Sequence, residues 1–242
     1  MDNTVSKNNK RFVILSGPAC AGKGPLQAAL KKLYPAIISA RPVLCTSRPP
    51  RPGEIHGKDY YFLPKGLIGS LGKNFAVSPV RSDMQAIDLL QVKDLLKTHD
   101  VVFAEVFYTF GKTLKKHARS HDFKIISVFL LPLPLGTPDT QVIEEMQQKL
   151  TRRGTESPEK IKDRASSAPD EIRKAPEYTH RLLNPIGEDN IEEWKSFGTY
   201  HGKKGTDVVE SLDDLGPNAR WLVETFVKII EGKLPPGDYQ KT

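Results

Sequence analysis

Gly17-Pro18-Ala19-Cys20-Ala21-Gly22-Lys23 follows an apolar run and spaces two glycines and a lysine as G-x4-G-K. Glycines in that spacing let a backbone curl tightly, so its N–H groups can face phosphate oxygens at the start of a helix. Lys23 brings a charge suited to β- and γ-phosphates and to the negative charge of phosphoryl transfer. The pattern carries this meaning where a strand feeds it and a helix leaves it. A plain strand-to-helix turn, tightened by glycines, is the competing reading. Gly24 stands where a Ser or Thr hydroxyl usually faces Mg²⁺. Cys20, inside the loop, is either a reactive thiol or a small buried one.

A second group is built of arginines. Arg48 and Arg51 lie on a proline-stiffened segment, where two guanidinium forks can converge on one anion. Tyr60 can add a hydroxyl to the same anion, and Glu54 is expected to orient the arginines. Further on, Arg153 and Arg164 could close over a transferring phosphoryl group and neutralise its charge away from water. Ordinary solvated basic surface is the bland alternative for both pairs.

The elements that must hold these groups can be read from pattern. Arg11 to Leu15 (RFVIL) is a buried strand, and a helix runs from about Gly22 to Tyr34 with Leu26, Ala29, Leu30 and Leu33 on one face. Residues 41 to 64 predict short strands and turns, and 84 to 98 a helix. Asp100 to Phe107 and Lys124 to Leu131 are strands. Helices follow at about 139–152 and 157–177, the second broken near Pro169, and a last one at about Asn218 to Glu231. Alternating strands and helices predict an α/β fold with a parallel sheet.

Residues 45 to 62 (CTSRPPRPGEIHGKDYYF) resemble the T-x-R-x-x-R-x-G-E-x-x-G-x-D-Y-x-F segment of the guanylate kinase family. Arg152-Arg153-Gly154-Thr155-Glu156-Ser157, followed by Arg164, is similar to that family's lid. The resemblance spans about residues 11 to 184. It implies a P-loop NTPase fold, a parallel sheet flanked by helices, with an acceptor-binding insertion and a mobile lid. The implied division is a tail at 1–10, core at 11–40 with the phosphate loop, an acceptor insertion at 41–100, core at 101–138, a lid at 139–165, and core at 166–242 with an unplaced insertion at 185–216. The implied activity is transfer of the ATP γ-phosphate to a nucleoside monophosphate, with GMP or dGMP the best guess and Mg²⁺ as cofactor.

By the same resemblance Lys23, Arg153 and Arg164 are catalytic. ATP binds Gly17, Pro18, Ala19, Cys20, Ala21, Gly22, Lys23 and Gly24, with Asn184 at the adenine. Arg48, Arg51, Tyr60 and Glu105 bind the acceptor. Lys149 sits where the family often has another lid arginine. Pro25 removes a backbone N–H where the family's loop usually donates to phosphate, which predicts weak nucleotide affinity through loss of about 1.5–3 kcal/mol. The base-reading residues depart further. The family's carboxylate falls on Val77, its Tyr-Gly-Ser/Thr on Ala86-Ile87-Asp88, and its upstream Ser on Leu44; Glu105, Asp83 or Asp88 could supply an acceptor for guanine, solvated surface acids being the alternative. These losses also motivate another reading, an inactive relative that binds a phosphorylated protein or another anion.

The bulk properties fit either. The 242 residues are 38% hydrophobic and 27% charged, with a net charge of +7 that favours anionic partners. Small nucleotides satisfy that charge as well as nucleic acid, for which no motif is present. The polar start shows no secretory signal, no run is long enough to span a membrane, and two cysteines suit a reducing, cytoplasmic setting. The sequence leaves oligomeric state open. His56, His99, His117, His121 and His180 show no metal-ligand spacing, so no protein metal site is expected.

Overall fold

The computed structural model describes residues 10–38, 40–51, 53–117 and 123–241. The expected tail and His121 therefore fall largely outside the described residues, although Lys10 is described and pairs with Asp100 at 3.0 Å. The chain divides into two compact units, Met1–Ile14 with Ser39–Ile126, and Leu15–Ile38 with Ser127–Thr242.

Strand β1 (Arg11–Ser16) leads through the glycine-rich turn into α1 (Lys23–Leu33) and the short α2 (Pro35–Ile38). Phe12, Val13, Ile14 and Leu15 are wholly buried, which is why the strand reads as a continuous apolar run instead of an alternating one. After it come β2 (Leu44–Thr46), β3 (Tyr60–Phe62), α3 (Lys65–Gly69), β4 (Phe75–Val80), β5 (Asp83–Asp88) and α4 (Leu89–Thr98). Then follow β6 (Val101–Glu105), α5 (Phe110–His117), β7 (Lys124–Leu131), α6 (Asp139–Arg153), α7 (Pro158–Ile172), β8 (His180–Leu183), α8 (Ile191–Trp194), β9 (Thr199–Tyr200), β10 (Lys203–Lys204), α9 (Pro217–Ile230) and β11 (Gly237–Tyr239).

The principal sheet has the order β11-β8-β7-β1-β6, with β8 parallel to both β7 and β11. In the unit that contains the phosphate loop, α1 packs on α2 and α9, and α6 packs along α7. A smaller sheet of order β3-β2-β5-β4 lies wholly in the other unit, with α3 against β2 and β5. Its satellite core gathers Cys45, Ile68 and Ala86, with Val77, Phe75, Met84, Leu63 and Leu71 packed on them.

One sequence expectation is corrected and another is located more finely. Residues 83–88 form a strand, not the start of a helix: β5 pairs antiparallel with β4 over six residues, from Val80↔Asp83 to Phe75↔Asp88. The turn between them uses Arg81 at φ +57, in place of the glycine or asparagine that normally announces such a hairpin. Pro79 is tolerated because β4 is an edge strand. The second long helix ends at Ile172, with a separate 3₁₀ turn at Ala175–Glu177. Pro169 sits inside its last turn, so the break falls after the proline. The structure also adds β11 and the β9–β10 hairpin, which no periodicity marked.

Candidate active site

The phosphate loop lies between the ends of β1 and α1. Gly22 caps α1 in a left-handed conformation, φ +93, and no side chain caps the helix. A helix start without a side-chain cap is the kind of place where backbone N–H groups can meet an anion. A Cβ on Gly22 would stand 2.2 Å from Asn184 Nδ2, so glycine is obligatory here. Lys23 Nζ folds back over the loop and donates to the Gly17 and Pro18 carbonyls, each at 2.7 Å. Pro25 is buried in the first turn of the helix. Cys20 is buried at φ +58, and burial first, then the carboxylate of Glu188, pushes its thiol up to about 12. The buried-thiol reading of Cys20 is the one the structure supports.

Asn184 is buried and donates through Nδ2 to the Ala21 carbonyl at 2.8 Å. In this structure it props the loop from below. Lys149 is buried too, gives its ammonium to the Pro185 carbonyl, and is pushed down mainly by burial. In this structure it tethers the chain just after Asn184.

The residues expected to form a lid meet partners that local reading missed. Arg153 donates Nη1 to Glu188 Oε1 and Nη2 to Glu156 Oε1 at 2.7 Å, while Arg164 Nη1 reaches the same Glu156 oxygen at 2.8 Å. Arg152 Nε pairs with the buried Asp189 at 2.6 Å. Backbone N–H groups of His201 and Gly202 donate to the Arg152 and Arg153 carbonyls at 2.6 and 2.8 Å. Residues 185–204 thus strap the end of α6. Their anchor is Trp194, fully buried, whose indole N–H donates to Gly187 O at 2.8 Å. Aromatic Trp194 and acidic Glu188-Asp189 were the signals in the sequence, and the arginine partners of Glu188 and Asp189 lie 35 and 37 residues away.

The other unit carries the arginine segment. Arg48 lies over the Tyr60 ring at 4.9 Å and the Phe62 ring at 5.7 Å, and grips Glu54 with both guanidinium nitrogens. Glu54 also accepts the Arg51 N–H at 2.7 Å, which confirms its expected orienting role. Arg51 itself is exposed, and Tyr60 half-buried. The base-reading positions are apolar as the sequence implied: Leu44 is buried, and Val77 faces Ala86 across β4–β5 in the satellite core. Asp88 serves as the N-cap of α4, accepting from Leu90 N at 2.9 Å through Oδ1. Asp83 accepts from Ser47 Oγ at 2.8 Å, and Glu105 is exposed at the end of β6.

No group of three or more His, Cys, Asp or Glu able to hold a metal occurs among the described residues. The oxygens near the loop are nevertheless of the hard type that Mg²⁺ prefers. Glu188 Oε2 lies 3.2 Å from where a Cβ at Gly24 would stand, and Asp189 Oδ1 is buried without a hydrogen-bond partner among the described residues. No described helix is long and apolar enough to cross a membrane.

A glycine-shaped turn between a parallel strand and a helix, with a lysine at the helix start, defines a P-loop α/β nucleotide-binding fold. The family model for guanylate kinase matches residues 9–197. A guanylate kinase of Wolbachia pipientis wMel is 28% identical over 211 residues, covering 86% of this chain and 98% of its own length. One of Clostridium perfringens is 29% identical over 197 residues, covering 80% of this chain and 83% of its own. The crystal structure of guanylate kinase from Anaplasma phagocytophilum superposes with a TM-score of 0.50 at 19% identity, over 73% of this chain and 78% of that one, which speaks to the fold alone. The chain belongs to the guanylate kinase family of phosphotransferases. The match extends past Asn184 to residue 197, so the first part of the unplaced segment belongs to the family's domain.

Proposed function

We propose that the chain transfers the γ-phosphoryl group of ATP to a nucleoside monophosphate, with GMP or dGMP the best acceptor. The observation that carries this reading is the retention of Lys23 on a glycine-shaped loop together with Arg153 and Arg164 in the same compact unit. Phosphoryl transfer needs positioning and charge neutralisation more than covalent chemistry. The loop N–H groups and the N-terminus of α1 hold the donor phosphates. Lys23 exchanges its two carbonyl partners for phosphate oxygens. Arg153 and Arg164 exchange carboxylates for the transferring group and exclude water around it.

Arg48, Arg51 and Tyr60 hold the acceptor phosphate, with Glu54 keeping Arg48 in line. Glu105 is the acceptor assigned to the base. Mg²⁺ carried by ATP would neutralise phosphate charge, and the oxygen donors beside the loop fit such a hard cation. In this reading residues 41–100 serve the acceptor, 139–165 form the lid, and the remainder is core. Two free, buried cysteines suit a reducing compartment such as the cytoplasm. The inactive phosphate-binding alternative has less support, because Lys23 and both lid arginines remain.

The test mixes the protein and Mg²⁺-ATP with GMP, dGMP, AMP, CMP or UMP in turn and follows ADP. Turnover with a guanine acceptor is expected. A folded protein inert with all five would overturn the reading.

A further inference from the structure

Gly24 leaves the phosphate loop without the hydroxyl that the motif normally turns toward the metal. The space beside it is not empty. Glu188 Oε2 lies 3.2 Å from the position a Cβ on residue 24 would take, so a carboxylate oxygen stands close to the place of the missing hydroxyl. A side chain at 24 would crowd the Glu188 carboxylate, whose flexible end would have to shift slightly. Glycine at 24 leaves that carboxylate where it stands.

The backbone fixes Glu188 at this spot. Its neighbour Gly187 accepts the Trp194 indole N–H at 2.8 Å, and its other neighbour, Asp189, pairs with Arg152 at 2.6 Å. The Glu188 carbonyl accepts the Thr199 N–H at 3.0 Å. Asp189 supplies a second observation. Its side chain is only 5% exposed, and Oδ1 has no hydrogen-bond partner among the described residues. A Cβ placed on Gly187 would meet that oxygen at 2.7 Å and the Cys20 carbonyl at 3.0 Å, so this unpaired acceptor lies beside the phosphate loop. A buried carboxylate oxygen without a donor is costly unless a donor or a cation reaches it.

Building on the kinase reading above, we infer that Glu188 replaces the absent loop hydroxyl as the protein's contact to the divalent cation of metal–ATP, directly or through its water. Charge accounting supports the exchange. Glu188 and Arg153 neutralise each other at 15% and 13% side-chain exposure. When Arg153 turns to phosphate, an unpaired Glu188 would be left half out of water beside a polyanion. That state is unfavourable unless a cation takes the guanidinium's place. Metal–ATP would thus substitute a partner for each member of the pair.

The arrangement makes metal and nucleotide binding mutually dependent, since Glu188 repels ATP without a cation and attracts the complex with one. The experiment measures Mn²⁺ affinity by electron paramagnetic resonance in the protein saturated with a non-hydrolysable ATP analogue. Glu188→Gln is expected to weaken Mn²⁺ about 10- to 100-fold, the range seen when groups that support a metal are removed. In parallel, affinity for the analogue is measured in EDTA and in Mg²⁺. Glu188→Gln should shrink the gain that Mg²⁺ gives while leaving metal-free affinity equal or higher, a pattern that mere structural damage does not produce.

Glu188→Ala, alone and combined with Gly24→Ser, serves if the glutamine variant fails to fold. Recovery of Mn²⁺ affinity by the introduced hydroxyl supports the inference, and equal affinity in the two overturns it. Unchanged Mn²⁺ affinity in Glu188→Gln, with the analogue bound and product formed by the native protein, overturns this inference alone. A native protein that binds no analogue and makes no product overturns the kinase reading and this inference with it.

Discussion

Arg48 meets Glu54 fork to fork, Nη1 to Oε2 and Nη2 to Oε1 at 2.6 Å each, with the Arg48 plane lying over the Tyr60 ring. Such bidentate pairs fix a guanidinium's plane as well as its place. The Arg48 bonds first, then the Arg51 N–H, lower the Glu54 carboxyl to about 2.

The first prediction follows from that depression. A carboxyl lowered by the fold stabilises it above its ordinary value, about 4.3, and the contribution is lost as pH falls toward about 2. The stability difference between the native protein and Glu54→Gln should therefore be flat between about pH 5 and 8 and shrink below about pH 4. Urea melts across that range measure it. At neutral pH the same change should raise KM for the acceptor about tenfold with a smaller effect on kcat, since it loosens binding and leaves the donor side intact.

Cys20 gives a second. Its thiol is held up to about 12 by burial and by neighbouring carboxylates. A raised thiol keeps its full contribution below its ordinary value, about 8.5, and loses it as pH climbs toward about 12. Native protein at about pH 8 should resist iodoacetamide at both cysteines, because Cys45 is likewise buried and raised. Unfolded protein should take two labels, counted by mass spectrometry. Rapid native labelling of Cys20 would show that the loop opens far more than its burial implies.

The bond from Asn184 Nδ2 to Ala21 O sets a third expectation. Asn184→Ala leaves a buried loop carbonyl without its donor, which should cost about 1–3 kcal/mol of stability. Gly22→Ala should cost at least as much, because its Cβ would collide with the same amide at a backbone angle that disfavours side chains. In thermal melts both lose stability, and ATP affinity falls in each. Combining them tests the shared cause, since removing Asn184 relieves the collision and the two costs should not add.

The pieces that were legible in the sequence are those whose chemistry is local. The phosphate loop, the Arg48–Arg51 segment and the lid arginines each announce themselves within about twenty residues. What stayed hidden is long-range or short. Arg153 finds Glu188 across 35 positions, and no spacing rule links them. The hairpin β4–β5 was missed because Arg81 adopts the turn conformation usually left to glycine, and because Leu89, Val92 and Leu96 extend a helical pattern that starts only after Asp88. Strand β11 is three residues, Gly-Asp-Tyr, held by pairing to β8 and not by any apolar repeat. Asp88 reads in the sequence as a possible base reader, and the structure shows one of its oxygens at work as a helix N-cap.

The fourth prediction concerns the base. Buried polar groups that a wrong base would leave unpaired can discriminate by about 10⁴. Here Val77 packs in the satellite core and Leu44 is buried, while Asp88 caps α4 and Asp83 accepts from Ser47, and Glu105 is the carboxylate proposed for the guanine edge. It is exposed, where a hydrogen bond competes with water and contributes less. The phosphate grip of Arg48, Arg51 and Tyr60 is by contrast indifferent to the base. GMP should therefore remain the best acceptor, with kcat/KM exceeding that for AMP by well under about 10⁴. Glu105→Gln should lower GMP turnover selectively, by about tenfold, because the amide no longer offers two acceptor oxygens to the N1–H and N2 groups. AMP turnover should move little. Equal losses for both acceptors would mean that Glu105 supports the strand end and does not read the base. Sharp discrimination that survives Glu105→Gln would place base reading on residues that the family's pattern does not mark.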